Sequence, residues 1–226
     1  MARRKCGLLI IVCLCFSAGC VVEAVDAFIP EPSLPIAVRI QDSWSDAPLV
    51  GNDGSTYSSE REIILSCVEE WNEMISPRLK ESEPLPLEFA GFAADTDFEV
   101  ETDLSDGHSV IYKIPVMTPE FEKVFDMGGY GELSVAGYGL FGSDALVFTG
   151  EFVNYTSQSP QPDAIPRVLR HIACHELGHV LGLQHQFVLP GVMNDSIPWY
   201  KSDESGYQVR DADVDEFCLA HPDSCQ

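Results

Sequence analysis

Between Cys174 and His185 the chain reads CHELGHVLGLQH, which places three of its six histidines and one glutamate in a single short stretch. Residues i and i+4 of an α-helix stand one above the other on the same face, so His175 and His179 present two imidazoles to one point. Glu176 sits beside the first and reaches toward the same cleft. This HExxH spacing suits two zinc ligands and a general base. His185 lies six residues beyond His179, about 600° around an ideal helix, and would face away if the helix continued. It reaches the same point only if the helix stops and the chain turns back. Gly182 is placed to allow this, because glycine accepts the left-handed conformation that ends helices. Three neutral imidazoles leave one position of a tetrahedral ion for water, whereas structural zinc sites are normally closed by four protein ligands. The pattern therefore points to an open, catalytic site. Cys174 projects about 100° away from His175, alongside Leu177 and Leu181, and reads as a core residue. His171 lies one turn before His175 on the same face and reads as a solvated or hydrogen-bonded histidine.

These side chains need elements to hold them. Ile36, Val38 and Ile40 alternate with Ala37, Arg39 and Gln41, the period of a strand. SSEREIILSCVEEWNEMI then changes to a helical period. Ser59 and Glu62 make a capping box, Ile64, Cys67, Val68, Trp71 and Ile75 form one apolar stripe, and Pro77 bounds it. LPLEFAGFA and HSVIYKIPV read as two further strands, and the glycine-rich stretch from Gly128 holds two more, the second around Ala145 to Phe152. DAIPRVLRHIACHELGHVLGL is a helix starting near Asp163 or Pro166, and DADVDEFCLAH is a short final helix. DADVDEF imitates the start of a calcium loop but lacks the glycine and glutamate such a loop needs. An acidic helix start is the better reading, and calcium stays open. The expected class is α+β, α/β-like, in one domain.

The rest of the chain bounds the setting. Of 226 residues, 45% are hydrophobic, enough for a real core, and the formal charge is -23. Such an acidic chain is not built to bind nucleic acid, whose partners carry basic surfaces. Arg3, Arg4 and Lys5 followed by CGLLIIVCLCF read as an export signal, with an apolar run about half the length a membrane-spanning helix needs. SAGC resembles a lipobox ending at Cys20, although Ser17 stands where leucine is usual; cleavage after Ala24 or Ala27, or an uncleaved anchor, are the alternatives. The expected organisation is a leader over 1–19, a proline-rich tether over 20–34 and a catalytic domain over 35–226, exported to the cell envelope or beyond. Four cysteines remain outside the leader, an even number for an oxidising compartment. Cys218 and Cys225 are near enough to close a small loop. Cys67 and Cys174 would then form a second pair or stay as buried thiols. NYT at Asn154 and NDS at Asn194 match a glycosylation sequon, a pattern frequent by chance.

Taken together, His175-Glu176-x-x-His179-x-x-Gly182-x-x-His185 resembles the extended zinc motif of the metzincins, which fixes five positions at set spacing. Met193 follows His185 by eight residues in LPGVMND, similar to the matrixin branch, where a methionine turn lies under the metal. The resemblance implies a twisted, mostly parallel sheet of about five strands with an antiparallel edge strand. Two long helices, one carrying HExxH, and a C-terminal helix complete it. Packing those long helices side by side would join Cys67 to Cys174. It implies a monomeric zinc metalloendopeptidase with one catalytic zinc on His175, His179 and His185, and with Glu176 as general base toward water. The partner would be a protein or peptide bound extended along an edge between Glu132 and Leu140. Trp199 and Tyr200 would be candidates for the pocket wall, and the membrane would be touched only through a lipid anchor. The chain also departs from relatives: Gln186 is none of the usual residues after the third histidine, and Asp195 stands where astacin-like enzymes carry tyrosine. His108, His171 and His221 are too scattered for a second zinc. A zinc-bearing binding module without proteolysis is the competing reading.

Overall fold

The computed structural model describes residues 34–51, 53–94, 109–116, 137–139, 144–150, 161–186, 191–194 and 208–226. The leader with Cys20, nearly all of the tether, Asn154, Trp199 and Tyr200 lie outside them, as does most of the Glu132–Leu140 segment.

In chain order the elements are β1 (Ile36–Gln41), β2 (Pro48–Val50), β3 (Thr56–Ser59), α1 (Glu60–Ile75) and a 3-10 turn at Ser76–Arg78. They continue as β4 (Leu87–Ala93), β5 (Ser109–Ile114), β6 (Gly137–Gly139), β7 (Ala145–Phe148), α2 (Ala164–Val180) and α3 (Asp211–Ala220). The main sheet runs β4-β1-β5-β7-β6. β1 pairs in parallel with β4 and β5, and β5 with β7, whereas β6 runs antiparallel at the edge. The mixed class, the mostly parallel sheet and the three helices agree with a metzincin-type domain. A separate antiparallel ribbon of β2 and β3 was not legible, because neither strand shows a buried alternation.

Local chemistry accounts for the helices that matter. Ser59 Oγ accepts the Glu62 backbone N–H, and a Glu62 carboxylate oxygen accepts the Ser59 N–H, so the expected capping box closes the start of α1. The stripe Ile64, Cys67, Val68, Trp71 and Ile75 is buried and faces α2 and the sheet. Asn72 exchanges hydrogen bonds with both backbone groups of Leu87, which fixes α1 against β4. α1 is also tied directly to the segment that carries the histidines. The Trp71 indole N–H donates to the Cys174 carbonyl at 2.9 Å. Glu70 accepts from the Arg170 guanidinium of α2 at 2.5 Å and from the Val209 N–H just before α3 at 3.0 Å. Burial pushes the Glu70 carboxyl up, and Arg170 works against that shift.

Cys67 and Cys174 are joined, with Cα atoms 5.0 Å apart, and Cys218 is joined to Cys225. The first bridge spans 107 residues and the second 7. In the chain-entropy description the longer loop constrains the unfolded chain more, giving roughly 5 kcal/mol against roughly 2–3 kcal/mol. Replacing Cys67 and Cys174 together by alanine should therefore lower the denaturant midpoint clearly more than replacing Cys218 and Cys225. Equal shifts in urea titrations of the two double variants would contradict this account of the bridges.

Candidate metal centre

α2 carries His175 and His179 one turn apart, and its end is built to deliver the third histidine. The Gly182 N–H donates to the His179 carbonyl and the Leu183 N–H reaches back to the Gly178 carbonyl, both near 3 Å. This paired closure needs a left-handed residue after the last turn, and Gly182 supplies it with φ of 90°. The chain then reverses and brings His185 back.

The Nε2 atoms of His175, His179 and His185 form a triangle with sides of 3.0–3.1 Å. In two of the three rings the inward nitrogen carries no proton. His175 Nδ1 lies 2.8 Å from the Val192 carbonyl and His179 Nδ1 lies 2.8 Å from the Leu183 carbonyl. A carbonyl only accepts, so each ring holds its proton on Nδ1 and turns a bare Nε2 lone pair inward. Burial first, and the neighbouring histidines after it, hold His175 well below its ordinary range, and burial brings His179 down to about 4. Both rings are therefore neutral near neutral pH. Lone pairs gathered at one point repel unless a cation lies among them, and carbonyl partners on Nδ1 are what metal-ligating histidines usually have. The donor set fits a zinc ion.

Glu176 is 5% exposed, and its Oε2 has no hydrogen-bond partner. Burial pushes its carboxyl well above the usual range. A nearby cation would favour the ionised form, so the site and this carboxylate suit one another. Cys174 is fully buried and disulfide-bonded, in keeping with its reading as core. His171 corrects an expectation in part: it is 2% exposed, hence not solvated, with its ring centroid 5.8 Å from that of His175.

Met193 is fully buried, with its sulfur against Gly178 of α2. A Cβ placed on Gly178 would lie 2.2 Å from the Met193 sulfur and 3.0 Å from a Trp71 ring carbon, so any side chain at this position inside HExxH would have to displace the buried Met193. Sequence reasoning passed over Gly178, although a glycine inside a helix, costing roughly 1 kcal/mol against alanine, was a signal. It also missed Asp213. This fully buried carboxylate accepts the N–H groups of Val192 and Met193, each at 3.2 Å, and of Arg210 at 2.8 Å. Burial raises its pKa despite those donors. Asp213 thus fixes the turn whose Val192 carbonyl orients His175. Nothing in DADVDEF separates this aspartate from its acidic neighbours.

The sequence model of the Matrixin family, peptidase M10, matches residues 91–217, more than half of the chain. The chain belongs to the matrixin family. That makes this matrixin a zinc metalloprotease by kind, with peptides as the substrates its family implies. No curated protein matches it. Among solved structures, the GM1-bound form of the ECX AB5 holotoxin is similar over 83% of this chain and 71% of that chain, at 12% identity and a TM-score of 0.40.

The contact at Gly178 gives a direct test of this packing. Gly178→Ala should lower the melting temperature despite alanine's better helix propensity, because overpacking a core costs about 1–3 kcal/mol. In a Met193→Ala background the same change should cost less, since the clashing sulfur is gone. Additive effects in the double-mutant cycle would refute the contact.

Proposed function

We propose that this matrixin is an exported zinc endopeptidase in which His175, His179 and His185 hold the ion and Glu176 is the general base. The observation that carries this reading is the convergence of the Nε2 atoms of His175, His179 and His185, 3.0–3.1 Å from one another, at the helix that also carries Glu176, whose buried Oε2 has no hydrogen-bond partner.

Zinc held there supplies a Lewis acid that makes water a better nucleophile and polarises a carbonyl. The remaining work belongs to the chain. Nδ1 of His175 and of His179 donates to the Val192 and Leu183 carbonyls, which keeps both rings aimed inward. Glu176 Oε2 takes a proton as water attacks the scissile carbonyl and returns it to the departing amine nitrogen, so one water is consumed and an acid and an amine are released. The low exposure of Glu176 keeps that carboxylate basic enough to accept the proton.

The substrate reading follows from the sheet. β6 is its antiparallel edge strand among the described residues, and α2 packs against β6 and β7. An extended peptide adding a strand there would pass beside the histidines, with main-chain hydrogen bonds setting its course. The proposal includes a monomer, one catalytic zinc, a leader over 1–19 and a catalytic domain over 35–226. It also includes release from the cell or anchoring through a lipid on Cys20.

Glu176→Ala should keep one zinc per chain and the fold, and lose peptide hydrolysis by about 10²–10⁴-fold or more, since the same carboxylate serves as base and acid. The comparison is a mixed peptide library digested by both proteins, read by mass spectrometry, with zinc measured in each. Equal cleavage by the two would sink the role of Glu176. No cleavage by the zinc-loaded wild type would move the binding-module reading ahead.

A further inference from the structure

His185 is the one member of the triad that no helix holds. It is exposed, whereas His175 is buried and His179 half-buried. Its place depends on what grips the chain on either side of it. The Gln186 N–H donates to the Met193 carbonyl at 2.8 Å. The other grip comes from α3. One Glu216 carboxylate oxygen accepts the Gln184 backbone N–H at 3.2 Å, and the other accepts the Gln186 side-chain amide at 2.6 Å. The same amide nitrogen also gives a hydrogen to the Ala212 carbonyl at 3.3 Å. Gln186 is the residue at which the motif departs from the usual choices after a third histidine, and here it has a use.

From these contacts we infer that Glu216 is a positioning residue for His185, its two oxygens clasping the residues immediately before and after the third ligand. This rests on the metal reading above and adds a part to it. The chemistry explains why the residue is an acid. Both groups presented to it are donors, one a backbone N–H and one an amide N–H, and only a carboxylate accepts on both oxygens. A glutamine at 216 would keep the bond to Gln184 but set an NH₂ against the NH₂ of Gln186. Turning the Gln186 amide over would relieve that conflict and create another, because its oxygen would then face the Ala212 carbonyl. α3 thus reaches the triad by two independent routes: Asp213 through Val192 to His175, and Glu216 through residues 184 and 186 to His185.

The experiment uses cobalt(II) as the probe, loaded into the metal-free mature protein. Affinity is measured by competition with a chromophoric chelator, and the geometry is read from the visible absorption of the bound ion. The variants are Glu216→Leu, Glu216→Gln and the control Asp215→Ala. The control removes an exposed ion pair with Arg78 from the same helix. Loss of an outer-shell partner typically weakens metal binding about 10–100-fold. Glu216→Leu should show a loss of that size with an altered cobalt spectrum, Glu216→Gln should fall between it and the wild type, and Asp215→Ala should match the wild type. Wild-type affinity and spectrum in Glu216→Leu would overturn the clasp while leaving the metal site intact. If that variant fails to fold, Glu216→Gln decides: weakened binding supports the clasp and unchanged binding overturns it. A wild type that takes up no cobalt would overturn the metal site itself and the clasp with it.

Discussion

Three imidazole nitrogens lie about 3 Å apart, and those of His175 and His179 turn lone pairs toward the same point, an arrangement that suits a cation. Much of the described structure is legible as the means of keeping them there. Two of the rings are held from outside the triad. The Val192 and Leu183 carbonyls do this for His175 and His179, and they also settle which nitrogen of each ring faces inward. The same arrangement suits an incoming ion, because the rings of His175 and His179 are neutral and already oriented.

Supports converge on α2 from both sides. From one side α1 contributes the Trp71 indole, the Glu70 carboxylate and the Cys67 sulfur, which meet α2 at Cys174 and Arg170, within about a turn and a half of His175. From the other, α3 holds the methionine turn through Asp213, and His221 just past its end reaches the Leu181 carbonyl at 2.8 Å, where α2 stops. Met193 and Gly178 mark the place where the supports touch: the sulfur occupies the space a side chain on Gly178 would need. This explains how residues far from the chemistry set its geometry. The glycine, the tryptophan and the methionine form one packed contact, and a change in any of them is transmitted to the face of α2 that carries His175 and His179.

Most of the candidate site could be read from the chain because helix periodicity is local. His175 and His179 at i and i+4, the left-handed turn at Gly182, and the stripe from Ile64 to Ile75 depend only on residues a few positions apart, and the structure has each of them. The capping box at Ser59 was legible for the same reason. What stayed hidden depends on partners distant in sequence. Asp213 looks like any acid at the start of a helix until Val192 and Met193 are seen to donate to it. Gly178 stands out as a glycine inside a helix, but its reason shows only when Met193 comes up against it. The ribbon of β2 and β3 lacks an apolar face, so no period announces it. His171 is buried, although a histidine one turn from the triad gave no sign of whether water reaches it.

The function proposed for the site requires those three nitrogens to share one ion. X-ray absorption spectroscopy of the zinc-loaded mature protein tests this most directly. The expected first shell is three imidazole nitrogens at about 2.0–2.1 Å, with one further light atom from solvent and the outer-shell pattern of histidine rings. Sulfur scattering near 2.3 Å, or a shell with fewer than three imidazoles, would contradict it.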